Sequence, residues 1–96
     1  MPYFGDDRVM ACTEADMLRW LGEFTGLPGL AFVEGCLTLE AGGFPLTIRV
    51  EPAPPRRLGL VVFRATRVKF QYPPAHSAAA HEWITRFDHH THRGGG

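Results

Sequence analysis

The sequence predicts a two-layer α+β sandwich, with an antiparallel sheet of three to four strands and an N-terminal and a C-terminal helix on one face, in the order α-β-β-β-β-α. Three observations carry this. Apolar residues recur at helical spacing near both ends of the chain, from Met17 to Phe24 and from Ala80 to Phe87. Between them Phe44, Leu46, Ile48 and Val50 alternate with Thr47 and Arg49, the period of a half-buried strand. The chain has 96 residues, 45% hydrophobic and 21% charged, enough for one globular domain and too few for two. Helices and strands that are each apolar on one side bury those sides together most simply when both helices cover the same sheet face.

The elements follow in order. Residues 1–12 show no period and are expected as an irregular lead-in. Thr13 has N-cap chemistry, and Asp16 completes a capping box in place of the more usual Glu. Met17, Leu18, Trp20, Leu21 and Phe24 form one apolar face, and Gly26 and Pro28 end the helix. Leu30 to Val33 reads as a short strand broken at Gly35, with Cys36 to Glu40 continuing it. Ala41-Gly42-Gly43 is a turn, after which Phe44 to Val50 hairpins back.

Pro52-Ala53-Pro54-Pro55 lacks three amide donors and is expected as a stiff extended loop rather than a central strand. Leu58 to Phe63 is a continuous apolar run, expected as a central strand buried on both faces or nearly so. Val68, Phe70 and Tyr72 alternate with Lys69 and Gln71 in a further strand, and one long bent strand from Leu58 to Tyr72 is the alternative. Pro73-Pro74 ends the sheet. Ser77 caps a second helix that runs to about His90 and buries Ala80, Trp83, Ile84 and Phe87. Residues 92–96 are expected as a flexible tail.

Ten basic and ten acidic residues give a formal net charge of +0, which supplies no general reason to expect nucleic acid or membrane as partner. The charge is unevenly spread. Three arginines against eight acids give −5 up to Glu51, and seven basic residues against two acids give +5 from Pro52 onward. The longest wholly apolar stretch is far short of the roughly 20 residues of a membrane span. Met1 to Met10 has no apolar run of leader length. Two cysteines do not make a disulfide framework, so reduced thiols in a cytoplasm are expected. A single lysine among ten basic residues, with abundant Gly, Pro and Ala, points to GC-rich, bacterial coding.

Several groups have the chemistry of a site. His81, Thr85, Asp88 and His92 form one stripe on the second helix, and Asp88 and His92, at i and i+4, are the pair that could share a divalent ion. The plainer reading is a solvated helix end whose cations suit the dipole. Cys12 stands just before the first helix, where a dipole can lower a thiol pKa, but a small buried hydrophobe at the helix entrance is the expected reading. Pro52-Ala53-Pro54-Pro55-Arg56-Arg57 matches a P-x-x-P-x-R ligand pattern, and a rigid connector explains the same prolines. Arg56, Arg57, Arg64, Arg67 and Lys69, interleaved with Phe63, Phe70 and Tyr72, could line a basic aromatic face, though the core also needs those aromatics. There is no phosphate-binding glycine loop and no cofactor motif, so no cofactor is expected.

The strands carry more apolar residues than one sheet face needs. Val61 and Phe63, ringed by Arg49, Arg64 and Lys69, are therefore the expected protein-binding residues, unless Tyr3 and Phe4 of the lead-in cover them. Gly35-Cys36-Leu37-Thr38-Leu39-Glu40 and the order helix, antiparallel sheet, closing helix are similar to frataxin-type iron proteins. Here Val61-Val62-Phe63 stands in place of that family's central-strand tryptophan, and the acidic ridge is reduced to Glu14, Asp16 and Glu23. The likeness is one of architecture. The expected function is a small non-enzymatic protein-interaction domain whose partner is another protein, a homodimer included. Divalent-metal binding through Asp88 and His92 is the alternative.

Overall fold

The computed structural model describes residues 4–95; the side chains of Phe4 and of residues 92–95 lie outside the described part. The fold is an α+β sandwich in which β1 (Phe4–Met10), α1 (Glu14–Thr25), β2 (Cys36–Glu40), β3 (Pro45–Leu58), β4 (Val61–Tyr72) and α2 (Ser77–Gly95) follow one another. All strand pairs are antiparallel, and the sheet order is β1-β4-β3-β2. Both helices pack on one face, because the buried residues of the sheet share one parity. Leu37 and Leu39, Leu46, Ile48 and Val50, and Val68, Phe70 and Tyr72 meet Met17, Trp20 and Leu21 of α1 and Ala80, Ile84 and Phe87 of α2.

The capping box at α1 forms as its sequence predicts. Thr13 Oγ1 accepts from the Asp16 amide at 3.1 Å, and the Thr13 amide donates back to Asp16 Oδ2 at 3.1 Å. Gly26 ends the helix in the left-handed conformation, its amide reaching Gly22 O.

Residues 4–10 are a strand, where an irregular lead-in was expected. β1 lies on the edge of the sheet, with Asp6, Arg8 and Met10 opposite Phe70, Val68 and Thr66. Its inward positions are therefore largely polar, which hides the alternation. They are tolerated because Arg8 reaches across to α2, where its Nη1 lies 2.6 and 2.7 Å from the two oxygens of Asp88. A strand before the first helix and beside the last strand also departs from the element order that resembles frataxin-type proteins.

Residues 30–33 form no strand; Val33 and Cys36 only bracket a two-residue turn with positive φ at Glu34 and Gly35. Gly35 is required there, since a Cβ would come within 2.6 Å of Val50 O. α2 continues to Gly95, where a flexible tail from 92 was expected; residue 96 lies outside the described residues. Within α2, Ile84 and Phe87 are buried, whereas Trp83 is only partly so.

The largest departure concerns residues 52–63. The proline segment belongs to β3, and Leu58 to Phe63 is the end of a hairpin, not a buried central strand. Gly59 and Leu60 make the turn, with positive φ on Gly59 alone, as a II′ turn requires.

Candidate interaction site on a hairpin arm

β3 and β4 outrun their neighbours. β1 stops at Met10, opposite Thr66, and β2 begins at Cys36, opposite Arg49. Past these points β3 and β4 have only each other, so residues 53–65 form a two-stranded arm. At about 3.3 Å per residue it reaches about 20 Å.

The prolines fit this arm for a physical reason. The Val50 amide donates to Gly35 O, on the β2 side of β3. Amides alternate along a strand, so positions 52 and 54 turn their nitrogens to that same side, where no strand follows. Proline there loses no ladder bond, and it blunts an open edge against stray pairing. Pro55 falls in the register shift between Ala53 and Arg56, where β3 carries one residue more than β4.

The bulge also sets which side chains share a face. Beyond it Leu58 pairs with Val61, Arg57 with Val62 and Arg56 with Phe63. Cross-strand partners share a face, so one face of the arm carries Leu58, Val61, Phe63 and Arg56. The other carries Val62, Arg57 and Arg64. Every residue from 54 to 64 is exposed. Leu60 at the turn is fully exposed, Leu58 is 69% exposed, and even Phe63 keeps 41%. A shallow groove of about 520 Å³ runs along Ala11, Arg56, Arg57, Leu58 and Phe63.

The five expected protein-binding residues are thus divided. Val61, Phe63 and Arg64 are on the arm; Arg49 and Lys69 lie some 20 Å away by strand rise, paired with each other on the outer sheet face. That face is polar rather than apolar. Arg67 lies 3.5 Å from Glu51 and 3.9 Å from Asp7, and Arg49 Nε donates to Gln71 Oε1 at 2.9 Å. Asp7, Glu34, Arg49, Glu51, Arg67 and Lys69 line a depression of about 280 Å³ in which both signs of charge are mixed. The Phe4 backbone pairs with Tyr72, at the far end of β4 from Phe63; the Phe4 side chain and Tyr3, expected as a lid, lie outside the described part. Nor is there a basic aromatic face, because Phe70 and Tyr72 point into the core.

Two members of the stripe on α2 reach the sheet, while Thr85 is exposed. His81 Nε2 is 3.0 Å from Tyr72 Oη, and Asp88 holds Arg8, which also donates to Asp6. Burial alone would lower the Arg8 pKa, but hydrogen bonds to Asp88 and Asp6 and their charges more than reverse it. A divalent ion at Asp88 would have to displace this guanidinium; the His92 side chain lies outside the described residues. Among the described residues no three His, Cys, Asp or Glu side chains come together as a metal site.

Cys12 is buried, and desolvation, with the nearby Asp16 charge, pushes its thiol up to about 11 against an opposing hydrogen bond from Thr66. It is therefore a protonated core residue at neutral pH and not an activated nucleophile. No described helix is long and apolar enough to cross a membrane. In comparisons with known proteins, no family model, no curated protein and no solved structure matches this chain.

Proposed function

We propose that this chain is a small non-enzymatic protein-interaction module that docks through the β3–β4 arm, a second copy of itself being the simplest partner. One observation carries the reading: Leu58, Leu60, Val61, Val62 and Phe63 stand exposed together at the end of a hairpin, outside the core. A scattered surface leucine needs no explanation, but a contiguous apolar cluster does. Phe and Arg are also the residue types enriched where proteins meet. The raised thiol pKa of Cys12 supports a role without nucleophilic chemistry, and the two free thiols suit a reducing cytoplasm.

Charge favours one docking mode over another. The arm carries Arg56, Arg57 and Arg64 and no acid, so the rest of a neutral chain is net acidic. An arm therefore docks more readily on the body of another copy than on another arm. Sedimentation equilibrium tests this. Reversible association is expected at tens to hundreds of micromolar, roughly the affinity of a modest interface. Phe63→Glu should return the protein to monomers without altering its circular dichroism. A wild type that stays monomeric up to millimolar concentration removes the self-association, and association that survives Phe63→Glu removes the arm from it.

A further inference from the structure

We infer that the arm also seats on an anionic lipid surface, inserting its tip to headgroup depth. The inference rests on the reading that the arm is the docking element, and it names a second counterpart for it. The apolar character is not confined to one face of the ribbon but surrounds the tip. Leu58, Val61 and Phe63 lie on one face, Val62 on the other and Leu60 at the turn between them. A tip that is apolar on all sides matches an isotropic apolar solvent better than a one-sided groove.

The charges are layered behind it in the same all-round manner. Arg57 lies one pair behind Leu58 and Val61 on the Val62 face, Arg56 one pair further on the Phe63 face, and Arg64 next to it on the opposite side. By strand rise this collar begins about 5–10 Å behind Leu60, the depth to which interfacial elements enter a bilayer. The guanidinium groups would then stand at the phosphates while the tip meets the acyl boundary. No Asp or Glu occurs between Glu51 and Glu82, so nothing on the arm repels an anionic surface. The expectation of no membrane partner came from the net charge of the whole chain; the arm on its own is +3. The open strand edges limit the insertion. Their unpaired amides and carbonyls require the hydrated headgroup layer, so the arm does not enter the hydrocarbon core.

Co-sedimentation of the full chain with vesicles tests this, using phosphatidylcholine alone and phosphatidylcholine mixed with phosphatidylglycerol. Binding to the mixed vesicles is expected to exceed binding to phosphatidylcholine by about a hundredfold, the contribution of three arginines at an anionic surface. It should fall by at least about tenfold in Leu60→Asp, whose side chain touches no core residue, and by a similar factor in the Arg56→Gln, Arg57→Gln double variant. Thr38→Asp, on the outer face of β2, should bind as wild type. Equal binding to both vesicle types, or full binding by Leu60→Asp, overturns the inference. Absence of vesicle binding also overturns it; if self-association remains sensitive to Phe63→Glu, the arm still stands as a protein-docking element. Loss of both phenomena ends the arm reading as well.

Discussion

Two phenylalanines in this chain should respond to the same substitution in opposite ways. Phe87 has no exposed surface and packs against Trp83 at 5.5 Å between ring centroids, Phe24 at 5.6 Å and Phe70 at 6.3 Å. Phe87→Ala removes the ring from the point where both helices meet the sheet. Such a change costs about 3–5 kcal/mol, the lost transfer energy plus the cavity left behind. A chain of this length has about 5–14 kcal/mol in all, so the variant should be barely folded. Phe63 is 41% exposed on an arm whose neighbouring side chains are also in water, and Phe63→Ala should cost within about 1 kcal/mol. Urea titration followed by tryptophan fluorescence reads both, since Trp20 and Trp83 lie in and beside the core. The unfolding midpoint should drop severely for Phe87→Ala and hardly move for Phe63→Ala. Comparable losses in the two variants would mean that the arm is covered in solution. The surplus apolar surface from which its binding role is argued would then not exist.

Alkaline titration tests the burial of Cys12. Its thiol pKa is raised from 9.0 to about 11, so between these values the unfolded chain has lost a proton that the folded chain retains. Stability should therefore be intact below about pH 9 and decline by up to about 2–3 kcal/mol as pH rises through about 11. Tyr72, also pushed up by burial, adds in the same direction, so the readout is the difference in slope between wild type and Cys12→Ala; equal slopes contradict the assignment. Asp88→Asn should cost about 1–2 kcal/mol in chemical denaturation by leaving Arg8 without its main partner. Calorimetry should find no micromolar, one-to-one Zn²⁺ binding in the wild type; such binding, abolished by Asp88→Asn, would restore Asp88 and His92 as a metal pair.

What was legible in the sequence depended on whether burial and periodicity coincided. α1 was readable because Thr13 and Asp16 mark its start, Gly26 marks its end, and Met17, Trp20 and Leu21 are buried at helical spacing. The alternation from Phe44 to Val50 was readable for the same reason. β1 was not, since an inward-facing arginine and aspartate resemble a solvated loop until Asp88, eighty residues away, is brought to Arg8. Trp83 looked like core on the helical wheel, yet it stands at the rim of the buried face, with Phe24 edge-on at 5.1 Å. A wheel places a residue on a face but does not say how far the opposing layer extends.

The arm shows a different kind of difficulty, because each local rule was sound and the joint reading was not. An uninterrupted apolar run normally means burial, and three prolines normally exclude a paired strand. Both rules assume neighbours on each side. Once β3 and β4 outrun β1 and β2, proline loses no ladder bond on the open side, and an apolar side chain has nothing to be buried against. One signal for this was present in the order of residues. Arg56 and Arg57 precede the run, Arg64 follows it, and Gly59 stands near its start with the positive φ that reverses the chain. Basic residues on both flanks and a glycine turn inside are consistent with a hairpin tip and poorly suited to a central strand, whose flanking charges would have to lie within the sheet. The same placement explains why a chain with no net charge can still carry a basic hairpin arm. The acids that balance Arg56, Arg57 and Arg64 all lie outside residues 52–81. The charge that the arm presents is therefore that of its own three arginines, not the average of the chain.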